Sequence, residues 1–158
     1  MLLPHIAGPD ADIAKSPFTV TAWALSPNTT ARRARSLLRC NVLDHITDQG
    51  VLDDLDLMVS ELATNAAVHA DGPYEMRLLR HVGVPMICEI ADNGGGLNVI
   101  ADHLRPKAEQ IVSIDALQTG GRGLAVVANL SGGRCGAHTT RLCSTGQPGK
   151  SVWFVIPA

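Results

Sequence analysis

The chain has 158 residues, 46% of them hydrophobic and 18% charged. That suits one compact domain with a single core and excludes a disordered chain. Thirteen Lys and Arg stand against 15 Asp and Glu, a net charge of -2, so the broad basic face that nucleic acid or an anionic membrane requires is missing.

Residues 1–15 read as a loose tail, with Pro4, Gly8 and Pro9 and neither the basic start nor the long apolar run of a signal peptide. No later stretch is apolar for long enough to cross a bilayer, and the expectation is a cytoplasmic protein. Phe18–Leu25 mixes β-branched, aromatic and small residues and reads as a strand that suits a sheet edge. Ser26 and Pro27 then look like a helix cap and first helical position. That helix runs to about Thr47, with Ala31, Ala34, Leu38, Val42 and Ile46 inward and Arg32, Arg33, Arg35 and Arg39 outward. Gly50 breaks the chain, and a second helix runs from near residue 52 to about 70, with Asp53 and Asp54 at its positive end.

Asp71, Gly72 and Pro73 close that helix. Strands at 74–82 and 84–92 follow as a hairpin around Gly83. Residues 93–120 form a connection long enough to be functional or to hold short helices of its own. A short apolar helix at 123–130 ends in Ser131, Gly132 and Gly133, and two strands near 134–139 and 151–156 complete the chain. The 131–150 segment is long for its place and reads as an extended hairpin. The pattern is α+β: a two-layer sandwich with helices on one face of a mixed, mostly antiparallel sheet. With so few aromatics, the core must come from Leu, Val, Ile and Ala. Cys40, Cys88, Cys135 and Cys143 read as small buried hydrophobes in a reducing compartment. Zinc on Cys135, His138 and Cys143 has a spacing unlike the common sites.

Three stretches carry chemistry. In SELATNAAVHA, residues 60–70, Glu61, Asn65 and His69 recur every fourth position. At about 100° per residue they lie along the border of a helix whose inner face is Leu55, Met58, Leu62 and Ala66. Asn offers the neutral oxygen that Mg²⁺ accepts, and a carboxylate one turn earlier can take a proton from a nucleophile. An ordinary solvated helix edge has the same spacing. Next, Glu89 to Leu97 reads as a strand ending in Asp92, followed by Gly94, Gly95 and Gly96. An aspartate there can accept from an exocyclic amino group while glycine lets backbone approach a ligand. A plain turn is the competing reading, and an EF-hand is excluded by its missing ligand series. Last, Thr119 to Leu124 feeds glycines into a helix start, an anion-binding arrangement that is neither a P-loop nor a dinucleotide fingerprint.

In this order, E61-x-x-x-N65, D92-N-G94-G-G96 and G121-R122-G123-L124 resemble the N box and two glycine boxes of the GHKL ATPase/kinase superfamily. The chain, with Gly149, Lys150, Ser151, Val152, Trp153 and Phe154 like a final strand, is most similar to the stand-alone anti-sigma-factor serine kinases of bacteria. The resemblance covers roughly residues 18 to 157 and implies the Bergerat fold, one domain over 16–158 with an ATP lid at about 97–120. By position it makes Glu61 the general base and Asn65 the Mg²⁺ ligand. Asp92 becomes the adenine acceptor, and Gly94 and Gly96 the walls of the base pocket. Gly121, Arg122, Gly123 and Leu124 would cover the phosphates, Ser151 would lie near adenine and His69 at the phosphate end or capping the helix. Only Arg105 and Lys107 make the lid basic, and it lacks an additional glycine box. Implied cofactors are ATP and Mg²⁺. Implied partners are a sigma factor and an anti-anti-sigma antagonist, around a homodimer. The arginine-rich first helix is the most exposed charged feature for docking a partner, and an ordinary solvated face is the competing reading. A docking module without kinase activity is the alternative, and a sensor-kinase catalytic module is a third reading.

Overall fold

The computed structural model describes residues 16–104 and 121–158, so the 1–15 tail and residues 105–120 of the expected lid lie outside the described residues. Five strands form one sheet: β1 (Phe18–Leu25), β2 (Tyr74–His81), β3 (Val84–Asp92), β4 (Cys135–Arg141) and β5 (Pro148–Val155), in the order β1-β2-β3-β5-β4. Each neighbouring pair is antiparallel, which corrects the mixed sheet expected. The last hairpin is the physical reason. The chain turns back at 142–147, with Leu142 N–H donating to the Gln147 carbonyl (2.9 Å), and this inserts β5 between β3 and β4. The long 131–150 segment is therefore the extended hairpin its length suggested.

Four helices are described: α1 (Thr30–Val42), α2 (Gln49–His69), α3 (Leu97–His103) and α4 (Gly121–Leu130). α1 starts later than Ser26 and Pro27 predict. Pro27 instead takes the corner of a turn closed by Thr29 N–H on the Ser26 carbonyl at 3.1 Å. α2 starts earlier than predicted. Asp48 caps it, Oδ1 accepting from Val51 N–H at 3.1 Å, and Gly50 sits inside the first turn instead of breaking the chain. Asp53 and Asp54 are then too far along to serve the helix start. Asp53 accepts from Arg39 Nη2 at 3.2 Å instead.

α2 lies centrally, packed against α1, α4 and β3. The helical layer and one sheet face share the core, where Leu38, Leu55, Met58, Leu78, Ile90 and Phe154 are at most 2% exposed. Alternation along a strand sends the neighbours of Leu78, Ile90 and Phe154 to the other face. That face carries Glu75, Arg77, Glu89 and Ser151, all buried. Two of the arginines expected on an outward face are held between α1 and α2: Arg35 donates to Ser60 Oγ at 2.9 Å and Arg39 to Asp56 at 2.7 Å. Arg32 and Arg33 stay exposed. Of the cysteines only Cys88 is the buried hydrophobe predicted, its thiol pushed far up by burial, then by Glu89. Cys40 and Cys143 are exposed and Cys135 is intermediate.

Candidate functional site: the α2 border and the ends of β3 and α4

α2 brings the first box to one side of the helical layer. Glu61 and Asn65, one turn apart, are half-buried, while His69 is exposed in the last turn. A cationic imidazole there would suit the negative helix end. Beside Glu61 lies the start of α4. A Cβ added to Gly123 would collide with Glu61 Oε2 and crowd Glu61 Cδ at 3.3 Å. Glycine at 123 thus leaves the Glu61 carboxylate in place against the helix start. A carboxylate from one helix and the first turn of another, whose N–H groups have no partners within the helix, are thereby set side by side. Arg122 is exposed next to this point. Leu124 is only 2% exposed and belongs to the hydrophobic core, so its side chain anchors α4 and does not line the site.

The second box opens at the end of β3. Asp92 is 2% exposed, and its Oδ1 accepts from Gly94 N–H at 2.7 Å and from the Lys150 ammonium at 2.6 Å. Asn93 N–H donates to the Asp71 carbonyl at 3.3 Å, tying the glycine loop to the turn after α2. Gly94 is confined: a Cβ would lie 2.7 Å from both Ala70 Cβ and Lys150 Nζ. Its smallness therefore makes room for the Asp92–Lys150 pair. Gly96, with φ +81, supplies the left-handed residue that begins α3.

Ser151 is where the structure departs from the resemblance. Lys150 is in register with Asp92 and Ser151 with Ala91. Adjacent strand residues point to opposite faces. Since Lys150 reaches Asp92, Ser151 faces away from it, fully buried on the far side of the sheet with its Oγ lacking a partner. Lys150 is the residue that the motif reading missed. Its signal was available, because it is the only charge in an apolar strand and alternates with Val152 and Phe154 on the core side.

A match to the histidine kinase-like ATPase domain family model spans residues 24–133. The chain belongs to this family. The match runs from the end of β1 through α4 and holds all three boxes, while β4 and β5 lie beyond it. No curated protein matches the chain in sequence. Among solved structures, a chain of the SiaB–SiaC complex from Pseudomonas aeruginosa shares the fold, with a TM-score of 0.58 at 14% identity over 86% of this chain and 89% of that one.

A histidine kinase-like ATPase domain implies ATP, and the residues present fit it. Asp92 is a buried acceptor whose second oxygen has capacity left among the described residues, and Gly123 seats a helix start against Glu61 at the α2 border. Among the described residues no three His, Cys, Asp or Glu gather as a metal centre. A Mg²⁺ here would rest on the Asn65 amide oxygen and on the phosphates themselves. No helix among the described residues is long and apolar enough to cross a membrane.

Proposed function

We propose that the domain is an ATP-dependent protein serine/threonine kinase of the anti-sigma type, acting on a hydroxyl of an anti-anti-sigma antagonist. The observation that carries this reading is the seating of the α4 start against the Glu61 carboxylate, which a side chain at Gly123 would displace. Phosphoryl transfer asks the protein mainly for positioning and charge neutralisation. First-turn N–H groups of α4, which have no partner within the helix, suit phosphate oxygens. Asn65 would hold Mg²⁺, Asp92 would fix the base by accepting from its amino group, and Glu61 would accept the proton of the attacking hydroxyl. ATP with its Mg²⁺ supplies the transferable phosphoryl group and neutralises the charge that develops on it.

A protein partner fits the exposed Arg32 and Arg33 on α1, and the structural neighbour is itself part of a two-protein complex. On this reading the chain works in the cytoplasm as a homodimer that releases or holds a sigma factor according to the antagonist's phosphorylation.

Calorimetry with ATP and Mg²⁺ tests the site. Wild type should bind and Asn65→Ala should not. Glu61→Gln keeps the shape that Gly123 packs against. It should leave ATP affinity nearly unchanged while phosphotransfer to the antagonist falls roughly 10²- to 10⁴-fold, the usual worth of a general base. Unchanged transfer in that variant would return Glu61 to the role of helix-start partner, and absence of transfer by wild type would make the domain a docking module.

A further inference from the structure

We propose that Lys150 is a base-reading residue: its ammonium donates to the ring nitrogen N1 of adenine while Asp92 accepts from the neighbouring amino group. This deepens the nucleotide reading and rests on it. The starting observation is an incomplete buried pair. Lys150 and Asp92 have side chains 7% and 2% exposed, joined at 2.6 Å. A lysine is rarely buried so deeply unless its charge is paired and its donors are used. The ammonium has three donors. Among the described residues one of them is used, on Asp92 Oδ1. That same oxygen also takes the Gly94 N–H at 2.7 Å, leaving Oδ2 as the carboxylate's open acceptor.

The pair as it stands is a neutral unit offering an acceptor and donors side by side. An aspartate alone is acceptor-only and can read one feature of a base, an N–H group. Adenine's outer edge alternates a donor, the amino group, with an acceptor, N1. An ammonium beside the carboxylate matches that alternation without leaving an uncompensated charge. The packing around the pair is built for it. A Cβ on Gly94 would lie 2.7 Å from both Ala70 Cβ and Lys150 Nζ, and one on Gly149 would run into the Asp92 carbonyl. Both positions that border the pair are thus crowded, Gly94 by Ala70 and the pair together and Gly149 by the backbone of β3.

The test compares ATP with 1-deaza-ATP, in which N1 is a C–H, and with 7-deaza-ATP as a control on the opposite edge, by calorimetry on the full chain. Wild type should bind 1-deaza-ATP about 10- to 100-fold more weakly than ATP, the usual worth of a hydrogen bond to a charged group, and 7-deaza-ATP about as well as ATP. In Lys150→Met the gap between ATP and 1-deaza-ATP should close to about twofold. Equal binding of ATP and 1-deaza-ATP by wild type overturns the proposal without touching the nucleotide site. So does a gap that persists in the variant. The wild-type comparison decides alone if the variant does not fold. Wild type that binds no ATP at all overturns the nucleotide reading and this inference with it.

Discussion

The two faces of the sheet both bury charge, and they do so differently. On the face away from the helices, Glu75 is surrounded: Oε1 accepts from Ser144 N–H at 2.7 Å, and Oε2 from Cys143 N–H at 3.0 Å and from Arg77 Nη2 at 3.1 Å. Arg77 in turn donates to Thr140 Oγ1 at 2.8 Å and to the Arg141 carbonyl at 2.6 Å, and lies 3.8 Å from Glu89. On the helix-facing side, among the described residues, Lys150 meets one partner and Asp92 keeps an oxygen in reserve. A network whose donors and acceptors are used up holds structure together. It fixes the 141–144 turn onto β2, and beside it opens a cavity of about 220 Å³ bounded by Ala22, Trp23, Ala24, Glu75, Cys143 and Ser144. A pair with capacity to spare is where a ligand can add bonds. The difference separates scaffold from site without any appeal to which residues are charged.

The largest expected effect breaks the saturated side. Arg77→Met removes the cation that Glu75 and Glu89 share and leaves two carboxylates buried, a loss of roughly 3–5 kcal/mol in chemical denaturation. A loss under about 1 kcal/mol would mean that this network is no more structural than a surface pair. Next in size comes a backbone approach on the other side. Gly149→Ala pushes a Cβ into the Asp92 carbonyl, which belongs to a neighbouring strand and cannot swing aside, and should cost about 1–3 kcal/mol. Gly95→Ala is its control, since nothing lies within 4 Å of that position and φ is not in the left-handed region, so its effect should stay within about 0.5 kcal/mol. Equal effects of the two substitutions would remove the argument from crowding.

How far the sequence alone led can be judged from particular residues. β1 and β3 were legible to the residue because alternation and turn glycines are local signals. The α1 and α2 starts were misplaced because cap and turn chemistry compete at Ser26, Pro27 and Asp48, and only hydrogen bonds decide between them. Strand directions depended on where β5 inserts, a long-range fact that no local pattern holds. In the candidate site, the motifs named Glu61, Asn65, Asp92 and the glycines, and the structure sets Glu61 beside Gly123 and Asp92 beside Gly94. Leu124 proved to be core, and Ser151 proved to face away, because a motif gives order along the chain and not strand parity. Counting alternation back from Phe154 would have put Lys150 beside Asp92.

The smallest effect sharpens the contrast from within the saturated network. Burial raises the Glu75 carboxyl, but the Ser144 and Cys143 N–H groups, then Arg77, outweigh it and hold it below the usual glutamate range. A carboxyl lowered in the folded state adds stability that is fully present above its unfolded value of about 4.3. That contribution is lost as pH falls through the lower, folded value. The Cys143 and Ser144 amide protons report this directly by NMR, since each loses an ionised acceptor when Glu75 takes a proton. Both should titrate together with a midpoint below about 4.3, while the amides of β1, across the cavity, stay still. A midpoint at or above that value would mean that the two backbone donors do not offset burial, and the clamp would then be weaker than its geometry implies.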